Sequence, residues 1–117
     1  MVNQDQLKDI KARILAIAAY LKIDEKRVQL QEADLKSQDP EFWNDSKAAE
    51  IAMKASRTLK FWIATYDELK TGIEDLEVLI EFHKEGMTEE SEVMESYNVL
   101  LHKVDELELK NMLSGEE

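Results

Sequence analysis

The residue types that most often carry chemistry are few in this chain, and they do not converge. The only two histidines, His83 and His102, lack the Glu-x-x-His spacing of helical di-iron sites. Ile80 and Val99 stand three residues before them instead. His83 continues an apolar row and His102 falls within the last predicted helix, so we expect both to be buried or half-exposed packing residues. The sequence therefore predicts no metal site.

Other catalytic patterns are also missing from the sequence. There is no cysteine, which excludes disulfides, thiol catalysis and cysteine-ligated zinc. The three glycines are scattered and cannot form a phosphate-binding loop. Neighbouring acids such as Glu74 and Asp75 point in different directions on a helix, so they do not form a catalytic pair. The sequence therefore predicts neither an enzyme nor a bound cofactor.

The negative charge is concentrated in the C-terminal part of the chain. The formal net charge is -11, yet residues 1–73 carry 12 acidic and 12 basic side chains. Residues 74–117 carry 14 acidic and 3 basic side chains. Phosphate binding needs Lys and Arg, so we expect no direct nucleic-acid binding by the C-terminal part. A basic protein surface is the expected partner if this part binds anything, and a solvated face that only aids solubility is the alternative.

Apolar residues at alternating steps of three and four predict helices in the N-terminal third. We expect a helix over residues 4–22, a bend at which Asp24 caps the next helix, and a helix over residues 25–37. One continuous helix is the alternative. The first stripe consists of Leu7, Ile10, Ile14, Ile17 and Leu21, and the same register continues through Val28, Gln31 and Leu35.

A turn with two aromatic residues must interrupt the helical pattern next. Pro40 lacks a backbone N–H and pushes Asp39 toward extended geometry. Phe42 and Trp43 follow at once, and we expect both rings to fold back onto the core as a plug. Asp39, Pro40, Phe42 and Trp43 are thus the predicted structural motif. Residues 44–46 offer cap residues for the following helix.

Two helices joined by a short connection follow the turn. Gly86 is expected to end the long helix as a left-handed cap, and Thr88 to cap the last helix. Gly72 lies inside the long helix. The short connection makes the two helices antiparallel neighbours. The long stripe comprises Ala48, Ile51, Ala55, Leu59, Trp62, Tyr66, Leu69, Ile73, Leu76 and Ile80, and the last comprises Val93, Tyr97, Leu100, Val104 and Leu107.

These patterns predict an all-α fold, an antiparallel three- to four-helix bundle with a long coiled-coil-like helical hairpin. We expect one domain over residues 1–117. The N-terminus is polar, without a signal-peptide pattern, and the longest apolar stretch, residues 14–21, is too short to cross a bilayer. The expectation is therefore a cytoplasmic protein that binds no membrane.

Three segments resemble, in order and spacing, the N-terminal domain of bacterial peptide chain release factor 2. They are residues 20–24 (Tyr-Leu-Lys-Ile-Asp), residues 38–45 (Gln-Asp-Pro-Glu-Phe-Trp-Asn-Asp) and residues 107–117, which include Met-Leu-Ser-Gly-Glu. The resemblance runs over essentially the whole chain. It implies a translation termination factor for UGA and UAA codons. Later domains of that family carry a Ser-Pro-Phe codon-reading tripeptide and a Gly-Gly-Gln loop, and neither occurs here.

The resemblance also implies partners for the domain. In that family it reaches toward the GTPase-associated centre and the stalk-base protein of the large ribosomal subunit, and it is linked to the GTPase release factor 3. No particular residue is assigned to the ribosome contact. A free-standing helical scaffold that dimerises through its apolar stripes is the alternative function.

Overall fold

The computed structural model describes residues 1–114 as a set of helices. They are α1 (Gln4–Tyr20), α2 (Ile23–Ser37), a 3-10 helix (Pro40–Asn44), α3 (Ser46–Lys84) and α4 (Glu90–Ser114). Residues 1–114 contain no strand, so the all-α prediction is confirmed. The last three residues of the C-terminal motif, Gly115, Glu116 and Glu117, lie outside the described residues.

The core lies between α1, residues 62–84 of α3, and α4, which together form a three-helix bundle. The stripes predicted for α1 and α4 are confirmed, since all their residues are buried except Leu7, which is half-buried. Burial of one such Leu or Ile side chain contributes roughly 1.5–3 kcal/mol relative to exposure. The side chains at the centre are Ile10, Ile17, Leu21, Leu69, Leu76, Val93 and Val104.

Three ion pairs show the direction of α1 within the bundle. The amino group of Met1 lies 2.7 Å from Glu90 at the start of α4. Farther along α1, Arg13 donates to Asp105 at 2.5 Å and to Glu108 at 2.6 Å. These two carboxylates raise the pKa of the Arg13 guanidinium, which stays charged. Helix α1 therefore runs parallel to α4 and antiparallel to α3.

The α3–α4 connection forms as predicted at Gly86. Its φ is 75°, the left-handed conformation that glycine adopts without steric cost. The N–H of Gly86 donates to the carbonyl of His83, and the N–H of Met87 donates to that of Phe82, the two bonds of a Schellman motif. The predicted Thr88 cap is wrong. Helix α4 begins at Glu90, and the Thr88 hydroxyl donates to the carbonyl of Leu79 instead.

Gly72 allows α4 to approach α3 closely. A Cβ atom at this position would lie 2.8 Å from Cδ1 of Leu100, well inside van der Waals contact. Leu100 is buried against the α3 backbone at this point. The glycine thus lowers the intrinsic stability of α3 and, in exchange, gives the hairpin a tighter crossing.

Helix α2 packs along the N-terminal part of α3 as far as Asp67, which pairs with Arg27. Helix α2, the 3-10 helix and residues 46–61 of α3 are together called the arm. Here the predicted stripe of α3 is wrong, because Ala48, Ile51 and Ala55 are exposed. The buried residues are Ala49 and Ser56, one position farther along. Their small side chains let α2 approach closely, but they produce no hydrophobic periodicity in the sequence.

The stripe predicted for α2 is also wrong. Val28, Gln31 and Leu35 are exposed, and the half-buried positions are Leu30 and Ala33 instead. Helix α2 contacts α1 and α3, and within residues 1–114 it does not reach α4. The molecule therefore has a thick end, the bundle, and a thin end, the arm, along a long axis of 60 Å.

The junction between α1 and α2 is a sharp break, which rules out one continuous helix. Lys22 adopts the left-handed conformation with φ 52° and ψ 51°, and makes no side-chain capping bond. Asp24 lies in the first turn of α2, so its predicted capping role is wrong. The buried Nζ of Lys26 donates to the carbonyl of Leu21 at 2.5 Å and so closes the end of α1.

Candidate protein-docking site

The four motif residues come together in the turn at the tip of the arm. Asp39 is extended, and its side chain accepts from the N–H of Glu41 at 3.0 Å. Pro40 opens the 3-10 helix. The rings of Phe42 and Trp43 meet edge to face, 4.8 Å between centroids. Geometry of this kind is a favourable aromatic contact.

The expected aromatic plug is wrong, because neither ring enters the core. Trp43 is 54% exposed, and Phe42 is half-buried against the arm. Trp43 has a different local role: its Nε1–H donates to the carbonyl of Ser37 at 3.0 Å. That carbonyl belongs to the last turn of α2, where helix carbonyls lack internal partners. Asp45 then caps α3 by accepting from the N–H of Ala48.

The two histidines lie on different helices and differ in their exposure. His83 is half-buried, and its Nδ1 lies 3.0 Å from the carbonyl oxygen of Thr88, which agrees with the expected packing role. His102 is exposed and pairs with Glu106 on the surface of α4, so a packing role is wrong for it. Among residues 1–114 no group of three or more His, Asp or Glu side chains is arranged to hold a metal ion.

The end of the hairpin near Gly86 carries an exposed apolar cluster. It consists of Val78, Phe82 and Met87, and is called the distal patch. Val78 and Phe82 lie one turn apart on α3, and Met87 follows the Schellman turn. Their exposed fractions are 50%, 40% and 65%. Neighbouring helices α1 and α4 cover the other sides of α3, so this face has no partner within the described chain.

Acidic side chains surround the distal patch. Glu74, Asp75, Glu81 and Glu85 lie on the same exposed side of α3, three or four residues from Val78 or Phe82. Glu81 pairs with Lys84 at 3.2 Å, whereas Glu74, Asp75 and Glu85 form no ion pair with any residue in 1–114. These carboxylates give the rim of the patch a negative potential that the chain itself leaves largely uncompensated.

A groove continues the acidic surface from α3 onto α4. Its volume is about 360 Å³, and its walls include Asp75, Glu92 and Glu95 around the apolar side chains of Leu79 and Val99. At the start of α4, the Met1 amino group lowers the pKa of Glu90. Glu89, Glu92 and Glu95 are exposed near this end of α4, and Glu106 lies about three turns beyond Glu95.

A second and larger groove, about 810 Å³, lies at the other end of the hairpin. Its apolar lining includes Leu69, Leu107, Leu109 and Leu113. The Nζ of Lys110 stands 4.6 Å from the centroid of the Phe61 ring. Polar side chains at its edge have partners within the chain: Lys103 pairs with Glu68, and Nε2 of His102 contacts Glu106.

The sequence pattern missed Val78, Phe82 and Met87 as surface residues. They stand off the stripe that runs through Ile73 and Leu76, and acids stand close to both α3 members in the sequence. An apolar residue off the stripe in an acidic segment is the signal that could have identified them.

No helix within residues 1–114 is long and apolar enough to cross a membrane.

Comparison with known proteins now defines the class of this helical domain. The chain belongs to the PCRF domain family, whose model matches residues 26–117, well over half of the sequence. The matched region begins inside α2 and therefore includes the arm turn, the whole of α3 and α4, and the distal patch.

Two relatives make the relationship more specific. Peptide chain release factor 2 of Yersinia pseudotuberculosis is 31% identical over 115 residues, which cover 97% of this chain and 32% of the relative. Peptide chain release factor 2 of Tolumonas auensis is 32% identical over 114 residues, covering 96% and 31%. The resemblance to the N-terminal domain of release factor 2 is thus confirmed. The chain spans about a third of the length of these relatives.

Proposed function

We propose that this chain is the ribosome-docking module of a translation termination factor that acts at UGA and UAA codons. The observation that carries the proposal is the family relationship, which extends over residues 26–117 and over nearly all of the chain in the two relatives. In this role the chain binds near the GTPase-associated centre of the large subunit, mainly to protein at the stalk base. The GTPase release factor 3 is the further partner.

The module is non-catalytic and acts in the cytoplasm, where ribosomes translate. The arrangement of the site supports this role. The most exposed features of residues 1–114 are helix faces and shallow grooves, and the two histidines stand on different helices without a shared pocket. Such surfaces suit binding to another macromolecule better than they suit the enclosure of a small substrate.

Two measurements test the proposal. The gene is sequenced downstream of the codon for Glu117, where we expect a continuous reading frame that encodes Ser-Pro-Phe and Gly-Gly-Gln. The full-length product is then assayed for release of a labelled peptide from ribosomes stalled at UGA, UAA or UAG. Release at UGA and UAA, but not at UAG, is the expected result. A frame without the Gly-Gly-Gln segment, or no release at any codon, would refute the proposal.

The dimerising scaffold remains the alternative function, and the bundle offers it little surface. The stripes of α1 and α4 that such a scaffold would use are buried inside the chain. Analytical ultracentrifugation over a range of protein concentrations tests it directly. A monomer at the highest concentration removes the scaffold, whereas a concentration-dependent dimer would support it.

A further inference from the structure

We infer that the distal patch of Val78, Phe82 and Met87 is the contact by which the module docks, and that its partner is a positively charged protein surface with an apolar pocket. This inference rests on the proposed function, and it adds the surface and the partner chemistry. The patch is an unpartnered face of α3 at the end of the bundle, where α3 turns into α4.

The side chains of the patch are of the kinds found at the centre of a protein interface. Protein interfaces concentrate binding energy in a few apolar and aromatic side chains, surrounded by a polar rim that excludes water. Phe82 provides the aromatic side chain, and Val78 and Met87 extend the apolar surface on either side of it. The Schellman bonds hold Met87 in place, because its N–H is fixed to the carbonyl of Phe82 at 2.9 Å.

The charge around the patch selects the partner. Glu74, Asp75 and Glu85 form the unpaired part of the rim, and Glu92 and Glu95 extend it across the groove to α4. A Lys- or Arg-rich protein surface complements this potential, and it gains both association rate and orientation from it. Nucleic acid would bring phosphates against these carboxylates, and a second copy of the chain would bring an equally acidic patch.

The test compares matched variants of the full-length factor. The patch variant is Val78→Ala with Phe82→Ala. Alanine, the best helix former, then stands at both exposed positions. A matched control on the arm is Val28→Ala with Leu35→Ala, which removes side chains from α2 that are somewhat more exposed than those of the patch. The charge variant is Asp75→Asn with Glu85→Gln. Far-ultraviolet circular dichroism checks that all variants keep the helical content and the unfolding midpoint of the parent.

Affinity for salt-washed ribosomes is measured by fluorescence anisotropy at increasing KCl concentrations. We expect the patch variant to bind about tenfold more weakly. The charge variant should also bind more weakly, with a smaller loss of affinity as KCl is raised. The arm control should stay within about twofold of the parent, as exposed positions outside a contact do. A photo-crosslinker at position 78 should attach to ribosomal protein.

The other outcomes distinguish failure of the inference from failure of the proposed function. Normal binding by the patch variant, with weaker binding by the arm control, overturns the inference and leaves the proposed function intact. Tighter binding by the charge variant, or crosslinks to ribosomal RNA, also overturns it, because the surface would then face phosphates. If the parent protein itself neither binds ribosomes nor releases peptide, both the proposed function and the inference fail.

Discussion

The replacement Gly72→Ala tests how tightly the hairpin is packed. Alanine is favoured over glycine inside a helix by about 1 kcal/mol. The added Cβ, however, would lie 2.8 Å from Cδ1 of Leu100, and carbon atoms pack best at about 3.5–4.0 Å. The contacting atom ends the Leu100 side chain, which is only 3% exposed, so relief of the contact requires this buried side chain to shift against its neighbours. Overpacking of this kind costs about 1–3 kcal/mol. We therefore expect Gly72→Ala to lower the free energy of unfolding by up to about 2 kcal/mol.

The same replacement should have the opposite sign once Leu100 is shortened. Leu100→Ala alone costs about 2–5 kcal/mol, because it removes a buried side chain. It also removes the atoms that the new Cβ would meet. In that background Gly72→Ala should raise the free energy of unfolding by about 1 kcal/mol, the intrinsic helix preference. The difference between the two backgrounds, about 1–3 kcal/mol, is the coupling between positions 72 and 100.

Urea unfolding followed by circular dichroism at 222 nm measures all four proteins of this cycle. Ala64→Gly, at an exposed position of α3, calibrates the helix preference in the same helix and should cost about 1 kcal/mol. An equal stabilisation by Gly72→Ala in both backgrounds would refute the reasoning. It would mean that Leu100 does not pack against the α3 backbone.

Three further predictions concern single contacts. Lys22→Asn should stabilise the chain by about 0.5–1 kcal/mol in urea unfolding, because Asn tolerates the left-handed conformation better than Lys does; no change would argue against strain at this junction. Trp43→Phe should cost about 1 kcal/mol, since it keeps an aromatic ring but loses the N–H that bonds to the Ser37 carbonyl. An unaltered unfolding midpoint would contradict that role. Arg27 lowers the pKa of Asp67, so the pair stabilises the fold above the ordinary Asp pKa and is lost as the pH falls through the folded value. Asp67→Asn should therefore cost about 0.2–1 kcal/mol at pH 7 and progressively less as the pH falls below the ordinary Asp pKa, and a difference that does not change with pH would be contrary evidence.

The bundle could be predicted from the sequence because its residues are large and regularly spaced. The stripes of α1 and α4 consist of Ile, Leu, Val and Tyr, whose burial dominates the energy of folding. Pro40, Asp45 and Gly86 mark the helix ends through backbone rules that hold in almost any context. These two kinds of signal were enough for the class of fold and for the antiparallel hairpin.

The arm could not be predicted in the same way, because the fully buried residues on its part of α3 are small. Ala49 and Ser56 are buried, while the larger Ile51 beside them is 64% exposed. A hydrophobic pattern ranks these positions in the wrong order, since it follows side-chain size and ignores how closely two helices approach. Trp43 was misplaced for a related reason: a large ring suggests burial, but its N–H has a helix end to cap.

The sequence indicated the charge of the proposed docking surface but not its apolar centre. The charge asymmetry of residues 74–117 indicated an acidic region and, if that region binds anything, a basic partner. The apolar centre of the region depends on which side of α3 the neighbouring helices leave open. Val78 and Leu79 are adjacent in sequence and similar in chemistry. Leu79 lies three residues after Leu76, on the side of the stripe, and packs against the core, whereas Val78 lies off the stripe and is more exposed. The sequence spacing separates these two positions, but it does not show that the far side of α3 stays uncovered.

The continuity of α3 connects the two ends of the molecule. Its 39 residues correspond to about 58 Å at 1.5 Å per residue, close to the 60 Å long axis. The aromatic turn therefore lies at one end of a single helix and the distal patch near the other. Gly72 is the weakest point between them, and Leu100 packs against it from α4. Because α3 is one continuous helix against which α4 packs at Gly72, the aromatic turn and the distal patch are held at opposite ends of the molecule.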